Sequence, residues 1–273
     1  MSPLTPGRAG DAGAPAGGPV RFDRDGAVGV ITLAAPPLNL FDEQVTLALV
    51  AAIEHAATTA DLRALLVRAE GDAFSGGVDV HNFQGLTARD GAALALIERI
   101  VAPLEAMPFP TLASVHALCL TAGFELALGC DMIWAGESVR FGLVEAVVGV
   151  TPLMGGTQRV AERAGPARAR ELVMTGGLYD AATLERWNVV NRVLPDAELA
   201  EKSMRFAHRL AAGPTQAHAL TKRLVRAATD HGVSAADAAT RDVAARIVET
   251  EDFKHGVRSF LEQGPGNAEF AGR

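Results

Sequence analysis

Short apolar strand patterns alternate with helical patterns through the first half of the chain, and helical patterns fill the last third. That order suits α/β layers followed by a helical C-terminal extension. The strand patterns lie at Val20–Arg24, Val28–Leu33, Leu62–Val67, Thr111–His116, Met132–Ala135, Val139–Phe141 and Val189–Leu194. Asp25-Gly26 separates the first two and reads as a hairpin turn. Asp42 is placed to cap a helix in which Val45, Leu49, Ile53 and Ala56 recur at helical spacing. A second helix is predicted over Ala92–Met107, with a kink or an end at Pro103, because proline has no N–H to donate. Ala122–Cys130 reads as a buried helix, and Asp196–Ala212, Pro214–Thr229 and Ala235–Leu261 complete the chain as helices. The strand-strand-helix order recurs loosely, without a short-period repeat.

About half of the 273 residues are apolar, enough for one sizeable core or a core with a smaller helical appendage. Residues 1–18 are Gly, Ala and Pro rich with few large apolar side chains, so a disordered tail is predicted there. The net charge is −7 and the only lysines are Lys202, Lys222 and Lys254, which argues against a nucleic-acid partner, since phosphate contacts need clustered cations. No apolar run reaches the ~18 residues of a membrane span, and the start of the chain lacks the apolar block of a signal peptide. A cytoplasmic protein with no membrane partner is therefore expected. Cys119 and Cys130 sit in apolar surroundings and read as core residues rather than a disulfide or ligand pair.

Familiar nucleophile, phosphate-loop, dinucleotide and metal motifs are absent, so no metal site is expected. Two junctions carry the chemistry instead. One is Ala73-Phe74-Ser75-Gly76-Gly77-Val78-Asp79-Val80; the other runs from His116 to Glu125 and contains Thr121-Ala122-Gly123-Phe124-Glu125. Each places small residues just after a strand, where a ligand can approach backbone N–H groups. The second opens a helix, whose free N–H groups favour developing negative charge. Two such donors aimed at one oxygen would form an oxyanion hole; two ordinary tight turns would look the same. Glu125 and Glu145 both stand in apolar company, where burial raises a carboxyl pKa toward the range useful for proton transfer. The same residues also suit structural acids paired with Arg140 and Arg159.

The run Phe74-Ser75-Gly76-Gly77-Val78-Asp79 resembles the Phe-Cys/Ala-Ala-Gly-Ala-Asp motif of the enoyl-CoA hydratase/isomerase (crotonase) family. Ala122-Gly123-Phe124-Glu125-Leu126-Ala127-Leu128-Gly129-Cys130-Asp131 resembles its Gly-Gly-x-Glu-Leu-Ala-x-x-Cys-Asp segment. Phe141-Gly142-Leu143-Val144-Glu145 and Gly155-Gly156-Thr157-Gln158-Arg159 resemble its Phe-Gly-x-Pro-Glu and Gly-Gly-Thr-Gln-Arg runs. Thr250-Glu251-Asp252-Phe253 and Phe260-Leu261-Glu262 look like its C-terminal helix. The match runs in order from about Val20 to the C-terminus.

This resemblance implies a crotonase-like spiral of repeated β-β-α units over residues 19–195, with a helical trimerisation region over 196–273. It implies a homotrimer or a dimer of trimers acting on an acyl-CoA, with coenzyme A as part of the substrate and no separate cofactor. The N–H groups of Val78 and Ala122 would form the oxyanion hole. Glu125 and Glu145 would be the catalytic pair that adds water to a 2-enoyl-CoA. Val78, Asp79, Val80 and His81 would line the thioester and adenine end, Phe83 the acyl pocket, and Leu153 the backbone that helps to hold the water. A 3,2-isomerase using Glu145 alone, or another CoA-thioester reaction of the same family, is the alternative, ahead of a catalytically silent binding or scaffold member. The sequence departs from the family pattern at Thr121-Ala122 for Gly-Gly, His116-Ala117 for Asn-Gly, Val144 for Pro, Pro152-Leu153-Met154 for a smaller run, and His81 for Lys.

Overall fold

Val20–Asp25 (β1) and Val28–Leu33 (β2) pair antiparallel with Asp25 opposite Val28. The connecting loop is therefore Gly26-Ala27, one residue later than expected. The structure is a computed structural model and describes residues 17–83 and 91–273; the side chains of residues 82–83 and 91–97 lie outside that description, as does most of the expected N-terminal tail. From β2 onward the main sheet is parallel. It adds Ala64–Ala69 (β3), Thr111–Val115 (β4), Met132–Gly136 (β6) and Arg192–Leu194 (β9), in the order β1-β2-β3-β4-β6-β9. All six residues of β2 and all five of β4 are buried, as a parallel sheet covered on both faces requires.

A smaller sheet is built from Leu118–Leu120 (β5), Arg140–Gly142 (β7) and Tyr179–Asp180 (β8). Single bridges from Ser75 to Cys119 and from Phe41 to Val78 extend this layer toward the loop that follows β3. β5 and β8 are too short to stand out in the sequence. β5 is bounded by two non-glycine residues in the left-handed region, Ala117 (φ 52°) and Thr121 (φ 42°).

One face of the main sheet is covered by Glu43–Thr58 (α1), Gly91–Glu105 (α2) and the buried Thr121–Leu128 (α3). Asp42 caps α1 as expected, its carboxylate accepting the Val45 N–H at 2.7 Å. α2 continues for two residues beyond Pro103, so the proline sits in the last turn and little of the helix is left to disrupt. Gly156–Ala164 (α4), Pro166–Thr175 (α5) and Ala181–Arg186 (α6) follow. Val189 and Val190 do not begin β9; both N–H groups turn back to the Leu184 carbonyl and finish α6. On the other face, Leu199, Ala207 and Ala211 of Asp196–Ala211 (α7) pack against Val30, Leu66, Leu112 and Trp134.

Thr215–His231 (α8), Val233–Glu249 (α9) and Glu251–Gln263 (α10) complete the chain. The expected single run Ala235–Leu261 is broken at Thr250. Its backbone is extended (φ −67°, ψ 148°) and its hydroxyl accepts the Phe253 N–H, so it caps α10. Cys119 and Cys130 are buried free thiols, and burial pushes Cys130 up to about 12, so it is an inert core residue. Among the described residues no helix is long and apolar enough to cross a membrane, and no group of three His, Cys, Asp or Glu could hold a metal.

Candidate active site

The loop after β3 is fixed from beneath by Asn39. This buried amide donates to the carbonyls of Glu70 (2.7 Å) and Ala73 (2.8 Å) and accepts the Ala35 N–H at 2.8 Å. The Ser75 hydroxyl donates to the Asn39 carbonyl at 2.8 Å and accepts the Gly77 N–H at 3.0 Å. Ser75 also exchanges backbone bonds with Leu118 and Leu120, so the loop and the start of α3 are tied together. The two junctions singled out in the sequence thus meet: the Val78 N–H donates to the Thr121 hydroxyl at 3.1 Å. Gly77 (φ 97°) makes this possible, since a Cβ there would lie 1.8 Å from Thr121 Oγ1. Ala122 is buried in the first turn of α3, where its N–H has no intrahelical carbonyl to reach.

One turn further along α3, Glu125 is buried and points toward the start of α4. Its Oε1 accepts the N–H groups of Met154 and Gly156, both at 2.8 Å. Burial raises its pKa, while the two N–H bonds and the Arg159 charge work against that rise. Oε2 takes no hydrogen bond among the described residues and stays open as an acceptor. Glu145 begins the one-turn 3-10 helix Glu145–Val148. Burial raises its pKa to about 7, its own N–H lowers it, and the neighbouring Glu125 charge raises it further. Its buried Oε2 has no partner among the described residues. Two carboxyls thus share one environment, and the one with fewer donors is poised near neutrality.

Neither arginine offered by the sequence pairs with these acids. Arg140 lies 3.8 Å from Asp180, and Arg159 makes a two-pronged pair with Glu105 at 2.7 and 2.6 Å. The Gly155-Gly156 turn is the functional element that sequence reasoning missed: its role is to bring backbone N–H groups to a carboxylate 31 residues earlier. Gly156→Ala is expected to lower activity about 100-fold without unfolding the protein, because the new Cβ would lie 2.8 Å from Glu125 Cγ and 3.1 Å from Oε1. Steady-state kinetics beside a melting curve check this.

The remaining sequence-predicted residues follow Val78 in the chain or precede Met154. Asp79 follows Val78 and its N–H reaches the Phe41 carbonyl at 3.2 Å. The largely exposed His81 ring faces Asp79 Oδ1 at 2.6 Å, and the His81 N–H and ring hold the Asp79 carboxyl below its usual range. Val80 is exposed, and Phe83 closes the one-turn helix Val80–Phe83 with its side chain outside the described residues. The Leu153 side chain is exposed, and the neighbouring Met154 N–H is the one that reaches Glu125.

Two backbone junctions tied together and two electrostatically linked glutamates thus make up the candidate site. The chain belongs to the enoyl-CoA hydratase/isomerase (crotonase) family, whose model matches residues 23–271. It is 32% identical to a probable enoyl-CoA hydratase of Mycobacterium tuberculosis over 245 residues, covering 89% of this chain and 95% of that protein. A probable enoyl-CoA hydratase of Rhizobium meliloti is 31% identical, with 88% of this chain and 93% of that protein covered. Among solved structures, enoyl-CoA hydratase subunit I of Geobacillus kaustophilus superposes with a TM-score of 0.88 at 34% identity, covering 93% of this chain and 98% of that one. Pseudomonas aeruginosa DspI gives 0.85 at 26% identity, covering 89% and 94%. The crotonase fold expected from the sequence is thus the observed one.

Proposed function

We propose that the protein is an enoyl-CoA hydratase, adding water across the double bond of a 2-enoyl-CoA to give a 3-hydroxyacyl-CoA. The observation that carries this reading is the coupled pair: Glu125, with one oxygen held by two N–H groups, and Glu145, raised to about 7 beside it. Water sits between them. Glu125 Oε2 accepts a hydrogen bond from one of its O–H groups and orients it. Glu145 takes the other proton as the oxygen bonds to C3, and then delivers it to C2. Charge that passes onto the thioester oxygen is stabilised at the Val78 and Ala122 junction, where each donor contributes about 3–4 kcal/mol in comparable sites. Coenzyme A is part of the substrate, and no cofactor or metal enters this scheme. Val78 to His81, Phe83 and Leu153 are the substrate-lining positions.

A 3,2-isomerase would need a single proton shuttle, for which Glu145 alone would suffice. The second acceptor at Glu125 favours water. Incubation with short, medium and branched 2-enoyl-CoAs, and with a 3-enoyl-CoA as control, tests the choice. Loss of enoyl absorbance with formation of the 3-hydroxyacyl product supports hydration; faster conversion of the 3-enoyl substrate would give the reading to the isomerase.

The proposal extends to a homotrimer or a dimer of trimers in the cytoplasm. Phe253, Val257, Phe260 and Leu261 are exposed along α10 and line an apolar groove with Ile247 and Phe270, a surface that another copy would cover. Light scattering at micromolar concentration is expected to give three or six times the chain mass; a monomer would contradict it.

A further inference from the structure

The donor at Val78 is already engaged. Its N–H points at Thr121 Oγ1, 3.1 Å away, so a thioester oxygen placed on that N–H would compete with a hydroxyl. A threonine hydroxyl has one proton to give as well as lone pairs to receive. Here a lone pair takes the Val78 N–H, and the proton has no acceptor among the described residues. The side chain is half-buried, adjoins Ala122 in the chain, and is held at the meeting point of the two junctions. The local backbone is unfavourable for this residue type. Thr121 is β-branched yet has φ 42°, a conformation that is unfavourable for such a residue and persists only where the surroundings fix it. Gly77 leaves the space that the hydroxyl occupies, since any Cβ there would collide with it.

We propose that the Thr121 hydroxyl is a catalytic residue: it receives the Val78 N–H and donates its own proton to the thioester oxygen, beside the Ala122 N–H. The assignment rests on the acyl-CoA chemistry proposed above. A bond received by a hydroxyl polarises it and strengthens the bond it gives, so the relay carries the Val78 dipole to the substrate. The proton stays on Oγ1 throughout. As oxygen adds at C3, the π electrons of the C2–C3 bond move toward the thioester oxygen, and they return to C2 when Glu145 delivers its proton there.

The test compares Thr121→Val, Thr121→Cys, Thr121→Ser and Thr121→Gly by kcat, KM, melting temperature and the carbonyl stretch of a bound, carbon-13-labelled saturated acyl-CoA. Valine keeps the shape and the branched backbone preference, removes the hydroxyl, and covers the Val78 N–H with a methyl group. It is expected to lower kcat about 100-fold or more with little change in KM, and to lose part of the downshift of the carbonyl stretch. Cysteine, a weak donor, is expected to lie between valine and wild type and carries the test if valine does not fold. Serine restores the donor, and glycine opens the Val78 N–H itself, so both are expected within about tenfold of wild type. Wild-type kcat and carbonyl shift in the valine or cysteine variant would overturn the proposal. So would a glycine variant more than about tenfold faster than wild type with a larger carbonyl shift, because the side chain would then be an obstruction. The carbonyl shift separates this assignment from the hydratase reading: the same ordering of shifts with no hydration of any substrate leaves the relay standing and removes the hydratase. Failure of every acyl-CoA to bind would remove both.

Discussion

Glu145→Gln is expected to cut hydration about 1,000-fold while leaving the fold intact, since positioned acid/base groups contribute on that scale. The amide keeps the shape of the carboxyl but neither takes a proton from water nor delivers one to C2. In the wild type the same group sets the pH profile. The proton from water requires the ionised form, and Glu145 has been raised to about 7. The value of kcat/KM for hydration is therefore expected to fall about tenfold per pH unit below about 7 and to level off above it. The glutamine variant should lose that limb along with the activity.

Stability supplies an independent check on the same residue. A carboxyl whose folded-state pKa lies above its ordinary value favours folding when protonated and loses that contribution as pH rises. For Glu145 the window runs from the ordinary 4.5 to about 7. The glutamine variant has no charge to bury, so it is expected to match wild type at pH 4 and to exceed it at pH 8. Because the group is partly solvent-screened, the difference is discounted to on the order of 1–2 kcal/mol, visible as a higher melting temperature. An active, well-folded variant would remove Glu145 from the mechanism. Equal melting at pH 8 would mean that its charge is not strained in the fold.

Local signals carried the first half of the fold. Asp42 is a capping residue followed by a helical apolar stripe, and that alone places α1. β2, β3 and β4 are apolar enough to be seen without their partners. The signals fail where an element is defined by its partner rather than by its own residues. β8 has two residues and is a strand only because β7 lies beside it, and β5 is cut from β4 by an alanine in the left-handed region. The break at Thr250 was legible in principle, because Thr-Glu-Asp is a cap followed by first-turn acids; the apolar run on both sides obscured it.

The candidate site shows the same division. The two junctions and both glutamates lie on recognisable motifs, but their surroundings do not follow from neighbours in the chain. Val147 and Val148, the apolar company of Glu145, are 78% and 55% exposed, so they do not bury it. The Glu125 cradle comes from backbone N–H groups 29 and 31 residues away, and backbone donors leave no mark in residue identity. Thr121 looked like a bulky departure from a glycine; only the contact with Val78 gives its hydroxyl a direction.

Glu125→Gln separates the two roles assigned to the pair. The amide oxygen can keep both N–H bonds from Met154 and Gly156, each 2.8 Å in the wild type, so the side chain is expected to stay in place. What changes is the other atom, which becomes an NH2 donor where Oε2 was an acceptor. A water between Glu125 and Glu145 then loses the group that orients it, and hydration is expected to fall about 100- to 1,000-fold with the melting temperature nearly unchanged. A double-bond shift in a 3-enoyl-CoA uses no water and should fall much less, so the ratio of isomerisation to hydration rises. Removal of the Glu125 charge also removes one cause of the raised Glu145 pKa. The acid limb of the residual activity should therefore move to lower pH than in the wild type. Undiminished hydration, in a variant whose acid limb has moved down, would show that Glu125 only tunes its neighbour and that water is oriented by another group.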